Sequence, residues 1–300
     1  MAELAGPEGV ASAEQIALSH REAAAPPPGT APQNAAVPPQ GSVPPGKPRD
    51  AASWAAKVER LEVAQRAGVR GTNVAGRRLT GPVQGFGKMW QKTYRMEVGP
   101  GIAPADAIAL WRTNFPDFWP QGNRFAGALT GINPGDVALL DLAVGGGVKL
   151  STGVFVLYAD TESFTLMTPQ GHMFAGWITF SAESAGDGTV VQAQVLMRAS
   201  DPLYEIGMML GGHRKEDKFW VATLRALSVR LGVPVAPITA VNTCVDPKRQ
   251  WRHAGDVWHN SMVRSVLQTI ASPVTALVRV VRGGSKGARA ESAAPVQREK

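Results

Sequence analysis

A run with a two-residue hydrophobic period from Met89, followed at short intervals by six further strand-like runs up to Arg198, constrains this chain more than any other feature. In "MWQKTYRMEV", Trp90, Tyr94, Met96 and Val98 fall on one face, and Gln91, Thr93, Arg95 and Glu97 on the other. Successive side chains of a strand point to opposite faces, so this is a strand with one buried face. Comparable runs cover 124–128, 137–144, 148–158, 163–168, 173–183 and 189–198, and "GGG", "ADTE", "PQGH" and "SAGDG" connect the later ones. Connections this short join neighbours, so an antiparallel meander is predicted, with enough strands to curve strongly.

Two helical patterns accompany the strands. "PADAIALWRTNF" begins with Pro104 after the first strand and is broken by "PDFWPQGN". The second starts with Asp201 as N-cap and Pro202 in the first turn, and stops at Gly232, Val233 and Pro234. Leu203, Ile206, Leu210, His213, Trp220, Leu224, Leu227 and Leu231 lie along one stripe of it, interrupted by Gly211 and Gly212, where a bend or a close neighbour is expected. The fold class is therefore α+β, a helix-grip arrangement of about seven antiparallel strands around a long C-terminal helix.

The flanks differ in composition. Residues 1–50 hold ten of the 23 prolines and are expected to be a disordered Pro/Ala-rich tail. Residues 51–84 are expected to be a short helix and linker, with Trp54, Val58 and Leu61 at helical spacing. The folded domain is placed at 85–232. A C-terminal extension at 233–282 contains a strand, "ITAVNTCV", and an amphipathic helix from Met262 with Val263, Val266, Ile270, Val274, Leu277 and Val281 on one face. A disordered basic tail at 283–300 completes the chain.

The net charge of +7 belongs to these flanks: residues 85–232 carry 12 basic and 13 acidic side chains, and 233–300 carry 10 and 4. The domain therefore offers no phosphate-binding footprint, and no nucleic-acid partner is expected. The single cysteine, Cys244, forms no intrachain disulfide, and neither a signal peptide nor an apolar run of spanning length is evident, so a cytoplasmic protein is expected.

The order of elements, with "TLMTPQGHMFAGWITF" and "DPLYEIGMMLGGHRKEDKFWVATLRALSVRLGV", resembles the SRPBCC superfamily over roughly residues 85–232. That superfamily includes START-like lipid carriers, birch-pollen-allergen-like proteins and polyketide cyclases, and "FWVATLRALSVRLGV" looks most like the last helix of cyclase-like members. The resemblance implies a deep, largely apolar cavity between sheet and helix; it implies no particular reaction.

Large side chains must fill or line the wedge between a curved sheet and its helix. Trp90, Tyr94, Trp111, Phe118, Trp119 and Trp220 are candidates for that lining, with Met167, Phe174, Trp177, Met197 and Met209 beside them. The plain alternative is that they pack the core. Arg124 and Arg198, near strand ends, are candidates to clamp an anionic headgroup. His172 follows a glycine turn in "TPQGHMFAGW": it either meets a ligand at the cavity rim as a general acid or base, or closes the turn. His213 and Asp217, four residues apart on the long helix, form either a catalytic pair or a solvated surface pair.

No histidine or cysteine spacing suits a metal, no dinucleotide or phosphate fingerprint is present, and no cofactor is expected. Three functions remain: binding of a hydrophobic small molecule (lipid, fatty acyl or polyketide-like); an aromatase/cyclase- or dehydratase-type enzyme; and a peripheral membrane or protein-interaction adaptor working through the basic amphipathic C-terminal helix. The adaptor would contact an anionic membrane peripherally through residues 261–282, a segment that otherwise packs on the domain as a lid.

Overall fold

The structure, a computed structural model, describes residues 51–63, 71–127, 131–145, 148–234 and 236–267. The tails expected at 1–50 and 283–300, and the amphipathic helix beyond 267, lie outside the described residues.

All seven expected strands form, as β2 (Met89–Gly99), β3 (Arg124–Ala126), β4 (Val137–Gly145), β5 (Val148–Ala159), β6 (Ser163–Pro169), β7 (Phe174–Ala185) and β8 (Gly188–Ala199). Two more join them: β1 (Leu79–Thr80), and β9 (Ile238–Asp246) from the "ITAVNTCV" segment. Every pairing is antiparallel, in the order β3-β4-β5-β6-β7-β8-β2-β9, with β1 on β6. From β3 to β8, each strand pairs with the next one in the chain. The first long strand, β2, then lies between β8 and the late strand β9.

One face of this curved sheet is covered by α1 (Pro104–Thr113), a 3-10 turn (Phe115–Phe118) and α3 (His213–Leu231). Inner side chains from β2, β7 and β8 (Tyr94, Met96, Ile178, Phe180, Val191, Val195) pack there against Ile108, Trp111, Leu224 and Leu227. A smaller cluster, Leu61, Val74, Leu139 and Phe155, forms separately.

The C-terminal helix is not one rod. Asp201 caps α2 (Pro202–Gly207), its carboxylate accepting from the Leu203 and Tyr204 amides. A π-type segment (Met208–Gly212) follows, in which Gly211 takes φ +114°, a left-handed conformation that a side chain would strain. The apolar stripe read across this point does not survive it. Leu203, Ile206 and Leu210 face solvent before the break, whereas Leu224 and Leu227 are fully buried after it. Gly232 ends α3 at φ +72°.

The short helix expected around Trp54, Val58 and Leu61 is also corrected. Among its described residues, only Ala51–Ser53 makes a 3-10 turn; Trp54 then bridges Tyr158, the Ala55 amide donates to Leu157, and Leu61 exchanges backbone hydrogen bonds with Gly76 and Arg77. So short an isolated helix is marginal, and neighbouring backbone offers the same hydrogen bonds together with burial of Leu61. No described helix is long and apolar enough to cross a membrane.

Candidate functional site

The alternation of β2 sends Trp90, Lys92 and Tyr94 to the inner face, opposite the first two turns of α3. A lysine there is unusual, since an ammonium leaves water only at considerable cost unless it is paired. Lys92 is 1% exposed, and its Nζ lies 2.8 Å from Glu216 Oε2 and 2.8 Å from Asp217 Oδ1. Tyr94 Oη donates to the same Asp217 oxygen at 2.7 Å, and Asn242 Nδ2, from β9, donates to the other at 3.2 Å. One cation thus serves two carboxylates, and β2, α3 and β9 all contribute.

The electrostatics separate the two acids. Burial pushes the Glu216 carboxyl up to about 7, against the pull of Lys92. For Asp217, burial works upward too, but hydrogen bonds from Lys92 and Tyr94 outweigh it and hold the carboxyl below its ordinary range. Burial raises the Tyr94 hydroxyl, as do the charge of Glu216 and the bond to Asp217, so it remains a donor. Glu216 is therefore the acid of this cluster that exchanges its proton near neutrality, and Asp217 the permanent anion.

His213 does not hydrogen-bond Asp217, whose oxygens are taken by Lys92, Tyr94 and Asn242. Its ring packs against Trp90 with centroids 4.9 Å apart, and its Nδ1 is buried with no hydrogen-bond partner among the described residues. Burial, aided by Lys92, pulls its pKa down to about 4, so the ring is neutral at physiological pH.

Beyond this polar end, aromatic rings pack together between α1, α3 and the sheet. Trp111 meets Phe180 at 5.0 Å, Phe164 and Phe180 stack at 4.6 Å, and Phe180 meets Trp220 at 5.5 Å. Trp119 meets Phe125 at 5.3 Å and Phe219 at 5.1 Å. Both Trp111 Nε1 and Trp119 Nε1 are buried with no partner among the described residues. A buried N–H without an acceptor is uncommon and costs on the order of 1–3 kcal/mol.

The structure thus brings Trp90, Tyr94, Trp111, Phe118, Trp119, Met197, Trp220, His213 and Asp217 to the grip interior or its polar end. Phe174 packs partly buried against the same core, whereas Met167, Trp177, Arg124, Met209, Arg198 and His172 lie elsewhere. Met167 and Trp177 pair with each other on the opposite strand parity to the inner Leu166 and Ile178, under the segment around Gly81. Arg124 is exposed on β3, and Met209 is exposed on the π-type segment. Arg198 is buried and engaged, donating to Gly87 O at 2.6 Å, to Lys248 O at 2.8 Å and to Asp246.

His172 is buried in its turn, where Nδ1 accepts the Phe174 amide at 3.0 Å and its own carbonyl accepts the Ser200 hydroxyl; Phe174 lies partly buried beside it. Burial pulls the imidazole down to about 4.

Lys92 and Glu216 were missed by sequence reasoning. The available signals were a lysine at the parity of Trp90 and Tyr94, and a glutamate three residues after His213 and four before Trp220.

No protein-family model matches the chain, and no curated protein matches it. Solved structures to which it is similar include the di-domain ARO/CYC StfQ from the steffimycin biosynthetic pathway, at 12% identity and a TM-score of 0.39 over 49% of this chain and 53% of that one. The chain thus spans about half the length of StfQ. A START superfamily protein from Mycobacterium smegmatis is 23% identical, with a TM-score of 0.33, over 49% of this chain and 98% of that one. Truncated norcoclaurine synthase from Thalictrum flavum is 14% identical, with a TM-score of 0.34, over 48% and 95%.

Proposed function

We propose that the domain binds a hydrophobic small molecule bearing a hydrogen-bond acceptor, of lipid, fatty-acyl or polyketide-like aromatic character, in the grip between the inner sheet face and α1 and α3. The observation that carries this reading is the pair of buried indole N–H groups of Trp111 and Trp119, which have no acceptor among the described residues and lie within an aromatic surround. A carbonyl or hydroxyl oxygen of a ligand would satisfy such donors, while the rings supply the apolar contact. Acid–base catalysis of the cyclase or dehydratase kind is a second reading, favoured by one observation: the Glu216 carboxyl is held near neutrality beside Lys92.

Native mass spectrometry of the full chain purified from its own host tests the binding reading. A stoichiometric apolar adduct is expected, and Trp111→Phe and Trp119→Phe should each weaken its retention roughly tenfold. A clean mass, together with no thermal shift on adding fatty-acyl and aromatic polyketide probes, would overturn it. Glu216→Gln then separates the readings: binding alone predicts affinity within about tenfold, whereas catalysis predicts turnover lower by roughly 10²–10⁴.

A further inference from the structure

Away from the grip, α2 and the 3-10 helix Trp251–His259 lie against each other. Arg249 donates to Glu205 at 3.0 Å and reaches Met209 Sδ at 3.3 Å; Asn260 Nδ2 donates to Asp201 at 2.8 Å, and the Met262 amide donates to Tyr204 Oη at 3.0 Å. This surface leaves large apolar side chains in solvent: Leu210 is 83% exposed, Trp251 73% and Trp258 84%, with Leu203, Ile206 and Met209 about half exposed or more. Folded domains rarely expose so many large apolar groups together without a use for them.

Basic side chains predominate among the exposed charges around this patch. Arg252 is exposed and donates to Val83 O, and Arg77, Arg78 and Arg264 stand near His259, whose imidazole is depressed by burial first and by these charges after it. The acids nearby are largely withdrawn from solvent. Glu205 is buried against Arg249, and Asp256 lies 3.4 Å from His253 and 3.8 Å from His259.

We propose that this surface docks on an anionic phospholipid bilayer, with Leu210, Trp251 and Trp258 entering the headgroup boundary and Arg78, Arg252 and Arg264 facing lipid phosphates. Tryptophan suits that boundary because its ring is apolar and its N–H stays wet. Clustered arginines add attraction to an anionic surface that salt screens. A second copy of the chain fits less well, because a symmetric contact would set the same arginines against one another.

The test is flotation of the full chain with phosphatidylcholine vesicles, with and without about one third phosphatidylserine. Binding to the anionic vesicles should exceed binding to the neutral ones by on the order of tenfold, and should fall in about 0.5 M salt. A Leu210→Ser/Trp258→Ser variant should lose on the order of tenfold in that binding with an unchanged melting temperature and elution volume. Equal binding of the variant, or no preference for anionic vesicles, would overturn the proposal. So would a lower melting temperature of the variant, which would mean that the chain covers the patch itself, or a smaller assembly, which would mean that a second copy does.

Discussion

Replacing Glu216 by glutamine should flatten the pH dependence of stability in a way that measures the buried cluster directly. In the unfolded chain this carboxyl titrates at its ordinary 4.5; in the fold, burial between β2 and α3 moves it to about 7. The folded protein therefore holds a proton there that the unfolded chain has released. That contribution to stability is fully present below about pH 4.5 and is lost as pH rises through about 7. Every tenfold by which the fold holds this proton more tightly than the unfolded chain is worth about 1.4 kcal/mol, so roughly 2–3 kcal/mol should disappear between pH 5 and pH 8. Glutamine keeps the shape and does not titrate. It also leaves Lys92 opposite Asp217 as a one-to-one pair. Urea unfolding of both proteins at the two pH values is the assay, and the wild-type loss should exceed the variant loss by that amount, other titrations cancelling in the difference. Parallel curves would refute the reasoning, since they would mean that Glu216 titrates alike in both states.

His172→Ala should lower stability by about 1–3 kcal/mol at pH 7 by leaving the Phe174 amide without its acceptor, while ligand affinity stays within about tenfold. The imidazole is held near 4 in the fold, below its ordinary 6.5, so its contribution is present above 6.5 and lost in acid. The gap between wild type and variant should therefore narrow as the pH of the unfolding measurement is lowered from 7 toward 4. Gly171→Ala should cost about 2–4 kcal/mol, because Gly171 sits at φ +90° and an added Cβ would stand 2.2 Å from His259 O. Hydrogen exchange should then quicken in residues 251–261, and unchanged protection there would count against this contact as what holds the segment.

The strands, the turns between them, the Asp201 cap and the Gly232 stop were legible in the sequence because each rests on local dihedral preference and side-chain parity. Lys92 shows where that reading stops. Its parity already pointed inward, but the desolvation cost of an ammonium argues against burial until its partners are known, and Asp217 lies 125 positions away. Met167 and Trp177 were open to misreading for a related reason. Alternation separated them from Leu166 and Ile178, yet β6 is buried on nearly every residue, so polarity did not mark which face was inner. Likewise the stripe from Leu203 to Leu231 is continuous on an ideal helix, and only the left-handed turn at Gly211 rotates its first part into solvent. The sequence by itself determined the main strands of the sheet and the Asp201 and Gly232 ends of the C-terminal helical region, since neighbouring residues settle those. The tertiary structure alone decided what faces what: Lys92 against two carboxylates, β9 beside β2, and two tryptophans on an exposed basic surface. Such pairings join residues far apart in the chain, and their energies exist only once the sheet has closed on α3.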